Sequence, residues 1–302
     1  MKTRFILSGI VAAAVIAFSG CEKVESISNV NAPEAVPFTL GVGIDTKTAN
    51  DGVMTKWVAN DQINVFHAVA GSTTYVSDSL FKTSGAGVSA DFDGYVKEAI
   101  NPSNNYDWYA FYPYTKQITT PANTSTGYST VGSLATGSQV QNGADSRAHI
   151  CGTNYPVAGV ATGVPAASKP NIEMRNLTTL MKVVVTNGTS ADINVSSVAI
   201  TAAEDLVGQY YIDFTDPTAP GFTPRSASYV SKTASLSVTS GGSIPPAGSA
   251  SFYLAVRPFT AEAGVDLTVS ISTAEYGKQD IKKAPTSDVD FEAGTINTLN
   301  CT

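Results

Sequence analysis

A single thiol near the N-terminus is the residue whose surroundings point most directly to chemistry. A short positive start is followed by an apolar run over residues 5–18, and the run ends in Phe18-Ser19-Gly20-Cys21. The run is shorter than the ~20 apolar residues that span a bilayer. A charged start, a short apolar run and two small residues are typical of a signal peptide. A bulky apolar residue and two small residues before a cysteine also correspond to a lipobox. We therefore predict a lipoprotein signal peptide over residues 1–20 and lipidation of Cys21, with acyl chains such as palmitate; the alternative is an ordinary signal peptide beside a chance cysteine.

The remaining cysteines and the histidines give weaker signals. In an exported protein, Cys151 and Cys301 could form a disulfide, or both could stay free and buried. His67 and His149 are the only histidines and lie far apart in the sequence, so no histidine-rich metal site is indicated. No metal and no cofactor is expected.

The usual signatures of catalysis are missing from the sequence. It contains no HExxH and no GxSxG, and Gly41-Val42-Gly43 lacks the third glycine of a dinucleotide loop. Asp91-Phe92-Asp93-Gly94 could belong to a calcium loop, but such a run is more often a turn between strands. We therefore expect no catalytic residues and a protein that is not an enzyme.

Charge and composition narrow the class of partner. The formal charge is −7, and removal of Lys2 and Arg4 with the signal peptide makes it −9. An acidic surface argues against a nucleic-acid partner, which needs clustered Lys and Arg. Only 14% of residues are charged, which is typical of an extracellular β-protein.

Alternating apolar and polar residues predict strands along most of the chain. Residues 21–37 are small and polar and read as a flexible tether, after which Phe38, Leu40, Val42 and Ile44 alternate strictly. Further strands are predicted over residues 63–66, 106–112, 180–185, 193–200, 252–256 and 265–271, with a last one containing Ile296 and Leu299. Residues 115–149 are rich in Thr, Ser, Gly and Asn and are predicted to form a loop. The fold class is all-β, with two tandem β-sandwich domains over residues 38–170 and 171–302.

Six segments follow one another in a recognisable order. They are the lipobox with its tether, Phe38–Ile44 with Asp45-Thr46-Lys47-Thr48, Trp57–Phe66, Tyr109–Tyr114, Asn176–Val183 and Phe291–Thr295. The third is similar to W-x-x-G-D-x-I-x-V-F, with Asn60 where glycine is usual, and the fourth to Y-x-A-x-Y-P-Y. In this order they resemble the fimbrillin family, the subunits of type V pili of Bacteroides-type bacteria. The resemblance implies two transthyretin-like β-sandwich domains and a cell-surface role.

The resemblance also implies assembly by strand exchange. In that family a trypsin-like protease removes the first strand, and a strand from a neighbouring subunit fills the groove. Here the displaced strand would be Phe38–Ile44, whose four alternating apolar residues represent roughly 6–12 kcal/mol of burial. That rivals the ~5–15 kcal/mol stability of a whole domain.

The processing and donor sites follow from the same resemblance. No arginine lies between Cys21 and Arg147, so Lys47 and Lys56 are the candidate cut sites, with Lys47 preferred. If neither is cut, the chain keeps its lipid. The candidate donor strand contains Ile296 and Leu299.

The sequence is compatible with two functions. The first is a structural subunit of a fimbria on the outer membrane and cell surface, with other fimbrial subunits as partners, serving adhesion or biofilm formation. The second is a surface-anchored lipoprotein that binds a glycan and does not polymerise; exposed Trp57 or Trp108 in a concave site would favour it. A host or bacterial surface glycan or protein is a candidate further partner in either case.

Overall fold

The computed structural model describes residues 35–44, 56–72, 74, 76–77, 80–114, 122–124, 127–134, 139–151, 154–214, 216–224 and 227–302. The predicted signal peptide, Cys21, most of the tether and Lys47 lie outside the described residues. Within them, no helix has the length and apolar character needed to cross a bilayer. The predicted all-β class is confirmed, since strands dominate the described residues; a short 3-10 turn lies at Ala227–Tyr229.

The strands, numbered along the chain, are β1 (Val36–Ile44), β2 (Gln62–Val69), β3 (Val76–Ser77), β4 (Phe81–Thr83), β5 (Ser89–Val96), β6 (Asn105–Tyr112), β7 (Ala122–Thr124), β8 (Gly127–Leu134), β9 (Gln139–Gln141), β10 (Val157–Pro165), β11 (Asn171–Asn176), β12 (Thr179–Thr186), β13 (Ile193–Thr201), β14 (Val207–Asp213), β15 (Gly221–Pro224), β16 (Val230–Ser231), β17 (Thr233–Val238), β18 (Ser243–Ile244), β19 (Ser249–Val256), β20 (Phe259–Ala261), β21 (Leu267–Thr273), β22 (Gly277–Lys283), β23 (Val289–Phe291) and β24 (Ile296–Cys301).

The first sheet closes on itself. Its strands follow the order β3-β2-β4-β5-β1-β11-β10-β6, and β6 also pairs with β2. A closed ring leaves few strand edges without partners. Its core contains Leu40, Val42, Trp57, Trp108 and Met174, each at most 2% exposed.

The later strands build a sandwich around a second core. A three-stranded sheet, β19-β12-β24, faces a larger sheet of order β22-β21-β13-β17-β9. Alternate residues of both sheets point inward, and Val183, Phe252, Leu236 and Val269 are fully buried between them. This is the packing expected when two half-buried sheets meet face to face. A separate sheet, β15-β14-β8-β7, contributes Tyr210 to the same core.

The strand pairings cross the predicted boundary near residue 171. Strand β11 lies in the first sheet, whereas β8 and β9 pair with β14 and β17 of the later part of the chain. Residues 115–149 therefore do not form one long loop, and that prediction is wrong. Residues 33–302 form one compact unit, in which Tyr109 and Phe214 contact each other with ring centroids 5.5 Å apart. The division into two domains stays a prediction, and no single cut near residue 171 would separate the two cores.

Most strand predictions agree with the structure, and one turn does not. The predicted strands at 63–66, 106–112, 180–185, 193–200 and 252–256 lie within β2, β6, β12, β13 and β19. The Asp91–Gly94 run, read as a turn, lies inside β5 and pairs along β1. Its glycine is explained by packing, because a Cβ on Gly94 would collide with the ring of Phe81 at 2.6 Å.

Two glycines of the first sheet allow a matched test of this packing. A Cβ on Gly159 would lie 2.8 Å from Cγ2 of Ile172 and 2.9 Å from the carbonyl carbon of Glu173, whereas one on Gly43 would meet nothing within 4 Å. We expect Gly159→Ala to lower the free energy of unfolding by about 1–3 kcal/mol, because the backbone must shift. Gly43→Ala should leave it within about 0.5 kcal/mol. Urea unfolding measures both, and equal midpoints would contradict the packing described for β10 and β11.

Candidate functional site

The first strand of the described chain lies in the middle of its sheet. Strand β1 pairs with β5 in antiparallel register from Val36 to Gly43, and with β11 in parallel register from Gly41 to Ile44. Both edges are thus paired over the last part of the strand. A strand held on two edges can leave only if both sets of hydrogen bonds break, and its departure would leave two open edges.

The inward face of β1 is the one predicted from the sequence. Leu40, Val42 and Ile44 are buried at 0%, 1% and 6% exposure. Phe38 is half-buried, and its ring stacks on Trp108 with centroids 4.6 Å apart. The four side chains fill one continuous groove between β5 and β11. Removal of β1 would leave this groove empty.

The outward face of β1 is nearly bare of side chains. An open depression runs over Gly41 and Gly43 between β5 and β11. Asn171 and the ion pair between Lys169 and Asp91 border it. A Cβ on Gly41 would collide with the side-chain oxygen of Asn171, so glycine is needed here for close approach.

Trp57 ties the segment after β1 back to the strand. Its indole Nε1–H donates to the carbonyl oxygen of Val42 at 3.0 Å, and its ring is 2% exposed. Its backbone N–H and C=O both bond to Gly87, at 2.7 and 3.1 Å. A buried indole N–H normally has an acceptor, and here the acceptor belongs to β1.

The turn that follows explains the pattern Trp57–Phe66. Asn60 has φ of 80°, the left-handed region that favours glycine and that asparagine tolerates. Asp61 Oδ2 accepts from the backbone N–H of Val58 at 2.8 Å, which closes the turn.

The Tyr109–Tyr114 segment meets this turn in space. The Tyr112 ring packs edge-on against Trp57 with centroids 5.4 Å apart, and its hydroxyl lies 3.4 Å from Asp61 Oδ1. Burial, with the nearby charge of Asp61, raises the pKa of Tyr112 to about 12, so the hydroxyl keeps its proton. Two of the six segments noted in the sequence therefore form one corner that holds β1.

The last two segments meet around β24 in the same way. The backbone N–H of Gly294 donates to the carbonyl of Thr178 at 2.8 Å, and that of Leu180 donates to Thr295 at 2.9 Å. Strand β24 then runs parallel to β12, from Leu180 beside Ile296 to Val185 beside Cys301. No other described strand pairs with β24, so its second edge has no strand beside it in this part of the chain.

The side chains of Ile296 and Leu299 lie on opposite faces of β24. Leu299 packs against the core between the two later sheets, as does buried Cys301, whereas Ile296 packs on the opposite side with Leu180 and Tyr253. Side chains alternate along a strand, so residues three apart point in opposite directions. If β24 is a donor, its groove-filling face is therefore Asn297, Leu299 and Cys301.

The other predicted residues are placed as follows. Lys56 is exposed but immediately precedes the fixed Trp57, and Lys47 lies outside the described residues. Cys151 and Cys301 are both free, the first exposed and the second buried, so the disulfide is not formed. Burial raises the pKa of the Cys301 thiol. Among the described residues, no cluster of His, Cys, Asp or Glu is arranged to hold a metal.

The two tryptophans that would mark a sugar site are both buried. Trp57 and Trp108 are each 2% exposed and belong to the core of the first sheet. Their rings contact Phe92 and Phe38. A glycan could not stack on either ring without unfolding this core.

Comparison with known proteins shows that several solved structures have a similar fold. No family model and no curated protein matches the chain. Among solved structures, it is similar to a candidate cell adhesion protein from Bacteroides ovatus, with a TM-score of 0.51, 15% identity and coverage of 88% of this chain and 92% of that one. It is also similar to the tip fimbrial protein Mfa3 from Porphyromonas gingivalis, which has a C-terminal truncation (TM-score 0.42, 8% identity, 82% and 81% covered). A third is a fimbrial assembly protein from Parabacteroides distasonis (TM-score 0.43, 8% identity, 88% and 90% covered). The resemblance inferred from the six segments is confirmed at the level of the fold.

The bond from Trp57 to β1 can be tested by removing one N–H group. Trp57→Phe keeps an aromatic ring in the core but cannot donate to Val42, and it leaves a small void. We expect the free energy of unfolding to fall by about 1–3 kcal/mol in urea titrations. Val58→Ala is the control, because Val58 is 63% exposed and should change little. An unchanged midpoint for Trp57→Phe would mean that the indole does not hold the strand.

Proposed function

We propose that this chain is a structural subunit of a type V-like fimbria that serves adhesion or biofilm formation. It would be exported as an outer-membrane lipoprotein through Cys21 and assembled at the cell surface by strand exchange with other fimbrial subunits. The observation that carries this proposal is the placement of β1, which lies first in the described chain but between two strands of its sheet. A first described strand in that position can be removed without cutting the strands that follow it.

The groove left by β1 would bind a replacement strand strongly. It would expose the facing edges of β5 and β11 and the contacts of Leu40, Val42 and Ile44, each less than 9% exposed in the intact fold. Fully buried apolar side chains of this size are worth ~1.5–3 kcal/mol each. Strand addition restores both the backbone hydrogen bonds and the side-chain contacts.

Strand β24 is the proposed donor. It runs parallel to β12, just as β1 runs parallel to β11, so a donated β24 would meet the neighbour's β11 in a direction that the fold already uses. It contacts its own core on one face, and its second edge has no strand partner among the described residues. Donation requires β24 to leave β12, which costs the buried contacts of Cys301 and part of those of Leu299.

Of the two candidate cut sites, Lys47 is favoured. A protease needs several residues of extended, accessible chain around the bond that it cuts. Trp57, directly after Lys56, is buried and bonded to Gly87 through both of its backbone groups. Cleavage after Lys56 would therefore require local unfolding of this corner.

The alternative of a glycan-binding lipoprotein loses its expected support. That function was tied to an exposed tryptophan in a concave site, and Trp57 and Trp108 are both core residues. A surface glycan or protein could still be the target of an assembled fimbria.

The mature N-terminus on native cells tests this function. Mass spectrometry of surface-released polymers should show a start at Thr48 and no acyl chains. Lys47→Ala should abolish both that start and the polymers, whereas Lys56→Ala should change neither. Acylated Cys21 in every copy, with no polymer, would instead mean that the chain stays an anchored lipoprotein.

The donor can be tested separately. Deletion of residues 294–302 should abolish polymers while the chain is still exported and anchored, because the groove would stay open. Leu299→Asp on the groove-filling face should weaken assembly more than Thr298→Asp, since Thr298 is exposed. Polymer ladders on gels measure both, and equal ladders for the two variants would exclude β24 as the donor.

A further inference from the structure

The edge of β19 is closed by side chains instead of a strand. Strand β19 pairs with β12 and with no other described strand. Its sequence, SASFYLAV, has no charge and no proline. A long, uncharged edge with unpaired N–H and C=O groups is a template for pairing with another chain. The backbone groups of Ser251, Tyr253 and Ala255 point to this edge.

Two glutamines imitate the missing strand. Gln139 donates through Nε2 to the carbonyl of Ala255 at 2.7 Å and accepts through Oε1 from its N–H at 2.9 Å. Gln141 donates to the carbonyl of Ser251 at 3.0 Å and accepts from the N–H of Tyr253 at 2.9 Å. A side-chain amide carries the same donor and acceptor as a peptide group, so it can replace one. Both glutamines are buried, at 3% and 0% exposure.

Asp145 and His149 satisfy the remaining groups. Asp145 Oδ1 accepts from the N–H of Ser251 at 2.8 Å, and its own N–H donates to the Ser251 carbonyl at 2.9 Å. His149 Nε2 lies 2.9 Å from the carbonyl of Tyr253, which can only accept, so Nε2 carries the proton. Burial lowers the pKa of His149, which keeps the ring neutral.

The geometry of β9 explains how the glutamines reach this edge. The backbone of β9 pairs in parallel with β17, in the sheet opposite β19. Its two glutamines point inward across the sandwich, while Val140 between them points out and is 50% exposed. The backbone of β9 thus pairs within the sheet of β17, while its glutamine side chains close the edge of β19 in the other sheet.

We propose that the free edge of β19 can accept a strand and is occupied by an edge cap, formed by Gln139, Gln141, Asp145 and His149. In a chain without the edge cap, the partner of this edge would be the same edge of a second copy of the chain. Two copies of one edge related by a two-fold axis pair in antiparallel register. Such pairing would satisfy the N–H and C=O groups that the cap now satisfies. No like charges would face each other, because β19 carries none.

The test removes the two glutamine amides from the full chain. The double variant Gln139→Ala with Gln141→Ala should dimerise in sedimentation velocity, with a dissociation constant at least about tenfold lower than that of the parent chain. Val140→Ala, on the same strand but facing outward, is the control and should behave as the parent. Adding Ala255→Pro to the double variant removes an N–H that Gln139 had bonded and that the double variant leaves free, so it should restore the monomer.

Hydrogen exchange supplies a measurement that needs no variant. In the parent chain, the amides of Tyr253 and Ala255 should be as protected as those of Phe252 and Leu254. Fast exchange at Tyr253 and Ala255 there would show that the cap does not close the edge. A folded double variant that stays monomeric, or a dimer that persists with Ala255→Pro, would overturn the proposed partner.

Discussion

Hydrogen bonding along strand edges is the constraint on which the rest of this structure depends. A buried peptide group without a partner costs free energy comparable to a lost hydrogen bond, so every edge needs a solution. The first sheet solves this by closing into a ring through the pairing of β2 with β6. The edge of β19 is closed by glutamine amides, and β24 keeps an edge with no described strand beside it. As a result β1 has strand partners on two edges, whereas β24 has a strand partner on one.

The first and last described strands, β1 and β24, pair with two strands that are consecutive in the chain. Strands β11 and β12 follow each other with only Leu177 and Thr178 between them, and they pair in parallel with β1 and β24 respectively. In each core, therefore, the first strand runs beside the last one and in the same direction. Under the proposed strand exchange, a donated β24 would pair in parallel with the neighbour's β11, as β1 does within this chain.

Residues far apart in sequence are coupled through the corner that holds β1. Trp57 bonds to Val42, packs on Tyr112 and bridges to Gly87, so three separate segments meet at one buried ring. The left-handed conformation of Asn60 and the carboxylate of Asp61 shape the turn that brings the tryptophan there. The tryptophan, the turn residue and the aspartate of this segment therefore act together to position one ring. The segment acts as packing for the first strand, and this also removes its tryptophan from any role in sugar stacking.

The sequence alone predicts those features of the structure that depend on the local alternation of apolar and polar residues. The all-β class and the inward face of β1 follow from strict alternation, since side chains of a strand alternate between two faces. The same pattern missed β8 and β9, because their Gly, Ser, Thr and Gln residues carry little apolar signal. Nor could it reveal that Gln139 and Gln141 close the edge of β19, more than 100 residues away. Polar side chains buried by such distant contacts look like loop residues in a sequence, and only the tertiary structure supplies the backbone groups that they satisfy.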